Sequence, residues 1–263
     1  MTLPSEATSL LDLLVPRIQK VLGSNLVGVY IRGSVALGDF IPETSDLDLL
    51  VVTERSVDRD SFAALKDLHD QLAAGSHPFG RRLETAYIDR DAVWRFVPGH
   101  QHPTLGQGER LTLTEHHDNW ILERWTVREH GITVIGPNPH TLIEPIGRHE
   151  IVAAVRRRLH DWADWANQPD DPDWQAPRRN HNAYVVETMC RALYTLTHGE
   201  LASKACSVAW AREALPMPWR DLVARSQGWR TDPTIDHSLV PEVKAFIHWT
   251  GDSAARGVTY PQD

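Results

Sequence analysis

The chain has 263 residues, with 27 Lys and Arg against 35 Asp and Glu, a formal net charge of −8 with neutral histidines. That balance disfavours a nucleic-acid binder, which gains affinity by neutralising phosphates with clustered Lys and Arg. It fits either a merely soluble protein or one with a cationic ligand. Apolar and charged contents of 41% and 24% are those of a folded globular chain, long enough for one large or two ordinary domains.

The two cysteines, Cys190 and Cys206, are too few for a disulfide framework or a four-ligand zinc site, and both read as small buried apolar residues. The first residues carry no basic leader, and no apolar run approaches ~20 residues, so the expectation is a cytoplasmic protein without a membrane partner. His116-His117 and His100/His102 lack the spacing of a zinc site.

Along the chain, Leu11, Leu14, Val15, Ile18 and Leu22 predict a helix over 8–22, stopped by Gly23. Leu26–Ile31 and Leu47–Val52 predict short buried strands with the Gly- and Ser-containing segment 33–45 between them. A helix over 61–73 and a third strand over Arg82–Asp89 follow. From about Trp120 the pattern turns helical: Ile151, Val155, Leu159, Trp162 and Ala166 share one face, as do Val185, Met189, Ala192, Leu193 and Leu196 before Gly199. Residues 167–182, rich in Pro, Asp and Arg, predict a surface loop, and 203–214 and 240–250 predict two more helices. The expected organisation is α+β, with a mixed-sheet domain over 1–148 and an α-helical bundle over 149–263.

The chemistry concentrates in Gly33-Ser34-Val-Ala-Leu-Gly-Asp-Phe-Ile-Pro-Glu-Thr-Ser45-Asp46-Leu47-Asp48. Strand alternation points Asp46 and Asp48 to one face while Leu47 and Leu49 enter the core. Two carboxylates so placed repel unless a cation lies between them, and hard oxygen ligands without His or Cys suit Mg²⁺ carrying a nucleoside triphosphate. At Gly33 a missing Cβ allows the backbone to approach phosphate, and the Ser34 hydroxyl can donate to it. Either half alone also fits a solvated strand end.

Together, a strand, Gly-Ser, eleven residues and Asp-apolar-Asp on the next strand resemble the DNA polymerase β-like nucleotidyltransferase superfamily. The resemblance implies transfer of a nucleoside monophosphate to a hydroxyl with two metals, and a third carboxylate from a later strand. Glu84, in Arg82-Leu83-Glu84-Thr85-Ala86-Tyr87-Ile88, is the candidate. Ser45–Val51, Arg128-Glu129-His130 ahead of Val134-Ile135-Gly136-Pro137, and Gly199–Lys204 running to Ala209-Trp210-Ala211 and Leu215-Pro216 further resemble the aminoglycoside (3'')(9) adenylyltransferases, except over about 92–118.

That resemblance implies a polymerase β-like N-terminal domain, a C-terminal helical domain, and ATP and a streptomycin- or spectinomycin-like drug bound in the cleft between them. Asp46 and Asp48 would hold Mg²⁺, joined by Glu84, which would also act as base toward the drug hydroxyl. Gly33, Ser34, Arg191 and Lys204 would bind the triphosphate. Trp165, Asp170 and Asp173 would meet the drug, an aromatic face beside carboxylates making a cation site. Trp162 and Trp165 equally suit a core, and Lys204 a solvated helix face.

The chain departs from the family at Arg178-Arg179-Asn180-His181-Asn182, where relatives carry acidic residues, so a polycation would meet two arginines. Near Gly228-Trp229 an aromatic residue of relatives is shifted or lost, leaving Trp229 to stack on adenine or to fill core. The expected activity is AMP transfer from ATP to such a drug by a monomer. Competing readings are a nucleotidyltransferase acting on a protein or other small-molecule hydroxyl, and a catalytically idle nucleotide-binding module.

Overall fold

A computed structural model describes residues 3, 5–42, 45–257 and 260. The chain divides into two compact units, Met1–Ile146 and Gly147–Asp263.

In the first unit, helix α1 (Ser5–Leu22) leads into strand β1 (Leu26–Ile31) and the single turn α2 (Gly33–Ala36). Strand β2 (Leu47–Thr53), helix α3 (Arg59–Ala74) and strand β3 (Leu83–Asp89) follow, then α4 (Arg90–Trp94), β4 (Gln101–Leu105), β5 (Thr112–Glu115), α5 (Asn119–His130) and β6 (Ile132–Ile135). The strands form one mixed sheet in the order β5-β4-β3-β2-β1-β6, in which β2 and β3 run parallel and the other neighbours antiparallel.

Central strand β2 is covered on both faces, which is why its sequence is a continuous apolar run rather than an alternation. Leu47, Leu49 and Val51 join the buried stripe of α1 and Leu65, Leu68 and Leu72 of α3. Leu50 and Val52 face the other way, with Tyr30, Ala86, Ile88, Val93, Trp120 and Val127. Asp48 lies on this second face, at the strand end and only partly buried. Asp58 accepts from Ser61 N–H at 2.8 Å, and Asp89 from Ala92 N–H at 3.0 Å, so carboxylates cap α3 and α4 at their first turns.

The second unit is helical: α6 (Arg148–Ala166), the single turn α7 (Pro172–Gln175), α8 (Arg179–His198), α9 (Lys204–Ala214), α10 (Trp219–Ser226) and α11 (Val240–Ala255). Helix α8 touches α6, α9, α10 and α11 and buries Val185, Val186, Met189, Cys190 and Leu193. It stops at Gly199 in the left-handed conformation (φ 77°), where a Cβ would meet the Arg148 side chain at 2.1 Å.

Several expectations need correction. The turn to helices at Trp120 is interrupted by β6, which pairs with β1. The loop over 167–182 is shorter, because Asp171 caps α7 by accepting from Asp173 N–H at 2.9 Å, Trp174 is buried, and α8 begins at Arg179. Cys190 is buried, but Cys206 is exposed on the first turn of α9. Among the described residues no helix is long and apolar enough to cross a membrane.

Candidate active site

β1 ends at Ile31, paired with Leu49, and Arg32 N–H donates to the Asp48 carbonyl at 2.9 Å, so the chain leaves the sheet beside the start of β2. Gly33 turns it with φ 63°, and a Cβ there would lie 2.0 Å from Asp48 Oδ2. Both the backbone conformation and the close carboxylate demand glycine. Ser34 sits half-buried in the following turn, its carbonyl accepting from Asp39 N–H at 2.9 Å.

Asp48 is the direct register partner of Glu84 across the parallel pair β2–β3, so both side chains emerge on the same face. Burial first, and then Asp48, push the Glu84 carboxyl up to about 7, with Arg32 pulling the other way and Asp46 adding to the rise. Asp46 lies one residue before β2 and accepts from Gln107 Nε2 at 2.9 Å, with Arg82 Nε at 4.0 Å. Arg82 also donates to the Pro42 carbonyl at 2.9 Å and to that of Ser45, the residue before Asp46.

Two members of this centre are not evident from sequence patterns. Arg32, with a side chain only 8% exposed, places Nη1 2.7 Å from Glu123 and 3.7 Å from Asp48, and Nη2 3.8 Å from Glu84. Glu123 comes from α5, on the second face of the sheet. The available signal for Arg32 is its place immediately before Gly33-Ser34. Glu123 has none, because only packing brings α5 over Asp48.

Among the described residues no three His, Cys, Asp or Glu side chains converge as a ready cage for a metal. Asp46, Asp48 and Glu84, the expected ligands, are thus not pre-assembled as such a cage, and of the three Asp48 and Glu84 are the register partners. The histidines play another part. His116 stacks on Trp120 with ring centroids 3.8 Å apart, lies 4.7 Å from His102, and shares a hydrogen bond with Thr104 Oγ1 at 2.9 Å.

In the second unit, Arg191 on α8 and Lys204 at the start of α9 act on the same carboxylate. Glu187 is buried on α8, bridged by Arg230 at 3.0 Å; burial raises its pKa, while Arg230, Lys204 and Arg191 lower it. Lys204 Nζ also lies 5.0 Å from the Tyr184 ring centroid. Trp165 and Asp173 line an open pocket with Arg158, Asp161, Trp162 and His181, of about 220 Å³. Trp174 braces it, donating from Nε1 to the Trp165 carbonyl at 3.1 Å, its ring 4.2 Å from that of Trp165.

The two pocket carboxylates have basic neighbours, Arg158 at 2.7 Å from Asp161 and His181 at 3.6 Å from Asp173. Asp170 is exposed and does not line this pocket, and Asp171 serves as the α7 cap. The charge of Arg179 is countered within the unit by Asp232 at 3.3 Å and Asp236 at 2.8 Å. Trp229 is buried core, with Arg225 over its ring.

Residues 15–94 match the nucleotidyltransferase domain model, and residues 141–251 match the model described as aminoglycoside adenylyltransferase, C-terminal domain. Together these two matches support an aminoglycoside nucleotidyltransferase. Similar members of the adenylyltransferases include an aminoglycoside (3'') (9) adenylyltransferase of Shigella flexneri, 27% identical over 93% of this chain and 94% of the relative. A spectinomycin 9-adenylyltransferase of Staphylococcus aureus is 25% identical over 95% of each. The fold is shared with spectinomycin adenyltransferase AAD(9) from Enterococcus faecialis, whose crystal structure was solved with ATP and spectinomycin. The TM-score is 0.74 at 16% identity, over 94% of this chain and 99% of that one.

Proposed function

We propose that this adenylyltransferase moves AMP from ATP to a hydroxyl of an aminoglycoside or aminocyclitol antibiotic, streptomycin or spectinomycin, and releases pyrophosphate, acting as a cytoplasmic monomer. The observation that carries the reading is the Asp48–Glu84 register pair behind Gly33, in a chain whose parts match both domain models.

Asp46, Asp48 and Glu84 would hold Mg²⁺. Once bound, the metal supplies neutralisation of the charge on the triphosphate. Glu84, the register partner of Asp48, accepts the proton of the attacking hydroxyl as general base. Gly33 and Ser34 border the triphosphate, and Arg191 and Lys204 supply phosphate-binding cations, the lysine as a point charge. Trp165 offers a flat face, and Asp173 a carboxylate, to a cationic drug.

The test is incubation of the purified protein with Mg-ATP and a panel of streptomycin, spectinomycin and unrelated aminoglycosides, followed by mass spectrometry. AMP added to streptomycin or spectinomycin supports the reading. AMP on a co-expressed protein instead, or ATP binding without any acceptor, overturns it in favour of a protein-modifying or idle nucleotide-binding chain.

A further inference from the structure

The same face of the sheet that exposes Asp48 and Glu84 is roofed by α5, and α5 contributes a carboxylate of its own. Arg32 stands between the three. Its guanidinium hydrogen-bonds to Glu123 at 2.7 Å, whereas Asp48 at 3.7 Å and Glu84 at 3.8 Å lie beyond hydrogen-bond distance but within ion-pair range. Behind the guanidinium lies the Trp120 ring, its centroid 5.4 Å away and itself stacked on His116. Trp120 and Glu123 are three residues apart on α5 and so share one helical face. One side of α5 thus supplies both the wall and the tether for Arg32.

A buried arginine beside two carboxylates that repel one another has an obvious alternative position, directly on them. There it would occupy the oxygens that a divalent ion needs. We infer that Glu123 is a positioning residue of the catalytic centre: by tethering Arg32, it holds the guanidinium close enough to counter Asp48 and Glu84 while keeping it from taking the place of a divalent ion on their oxygens. This rests on the reading of Asp48 and Glu84 as the metal and base carboxylates.

The test is direct Mn²⁺ binding to the intact chain, followed by the electron paramagnetic resonance signal of free Mn²⁺, with thermal unfolding in EDTA alongside. Releasing the tether in E123Q should weaken Mn²⁺ affinity by about tenfold, the size of coupling seen between neighbouring charges. E123D keeps the charge but shortens the reach, and should weaken binding similarly. R32Q, with no cation left to compete, should bind Mn²⁺ more tightly while the metal-free protein melts earlier. In R32Q/E123Q the effect of losing Glu123 should vanish.

Mn²⁺ affinity unchanged in E123Q, or restored in E123D, overturns the inference, because Glu123 would then be structural or act only by its charge. An equal loss on adding E123Q to R32Q also overturns it, since Glu123 would be acting on the metal itself. Should R32Q fail to fold, E123Q against E123D still decides. No Mn²⁺ binding to the unsubstituted chain overturns the metal centre and this inference together, which separates the two failures.

Discussion

Gly33→Ala places a methyl group where the Asp48 carboxylate now lies. The added Cβ would stand 2.0 Å from Oδ2, 2.7 Å from Cγ and 3.1 Å from Cβ of Asp48. A carbon and an oxygen settle at about 3.3 Å, so the carboxylate must retreat by about 1.3 Å. A misplacement of that order costs roughly 100-fold in rate, about 2.7 kcal/mol of transition-state stabilisation. The left-handed backbone adds about 1–2 kcal/mol of strain for alanine, lowering the unfolding midpoint by a few degrees. Gly23→Ala is the control, because Gly23 has φ 53° with nothing within 4 Å of an added Cβ. It should lose comparable stability and keep its activity. The assay is kcat/KM for drug adenylylation, with thermal unfolding of both variants. Gly33→Ala with the turnover of Gly23→Ala would refute the assignment of Asp48 to the reacting centre.

Burial holds the His69 imidazole at about 4 against an ordinary 6.5, and its Nε2 shares a 2.7 Å hydrogen bond with the Tyr87 hydroxyl. The unfolded chain therefore takes up a proton that the folded one refuses: stability is full above pH 6.5 and falls as the pH drops toward 4, by up to about 3 kcal/mol from this residue. Urea unfolding across that range should show His69→Gln with a shallower acid limb; parallel limbs would contradict the assignment. Trp165→Ala should raise the KM for drug about tenfold and leave that for ATP unchanged, since the loss is of a stacking face; equal shifts in both would remove Trp165 from drug recognition. Lys204→Ala should weaken ATP binding by calorimetry by about tenfold through loss of a phosphate contact, and unaltered affinity would exclude it.

The long helices and the central strands are legible because their apolar residues repeat at the helical period or run unbroken through a sheet buried on both sides. Strands β4 and β5 are not, since β5 is exposed throughout and β4 includes Pro103, which leaves little pattern to read. Asp46, Asp48 and Glu84 stand out as candidates from spacing combined with resemblance, and the register of β2 and β3 places the last two side by side. Arg32 and Glu123 meet from positions 91 residues apart, a contact that local periodicity does not encode. The acidic segment at 170–173 reads as one drug-binding unit in sequence, whereas folding sends Asp173 to the pocket, Asp171 to a helix cap and Asp170 to the exposed surface. Likewise Arg179, a feature that should repel a cationic drug, is countered by Asp232 and Asp236 from a distant part of the chain.

In the proposed reaction, Asp48 and Glu84 beside Gly33 drive AMP transfer from ATP to a drug hydroxyl. The direct measurement is the stoichiometry of a single turnover, counting AMP-modified drug by mass and pyrophosphate by coupled assay, for the unsubstituted chain and for Asp48→Asn and Glu84→Gln. One pyrophosphate should form for each AMP-drug molecule, with product formation lost in both variants while their folds and melting behaviour persist. Product formed at the unsubstituted rate by either folded variant would contradict it.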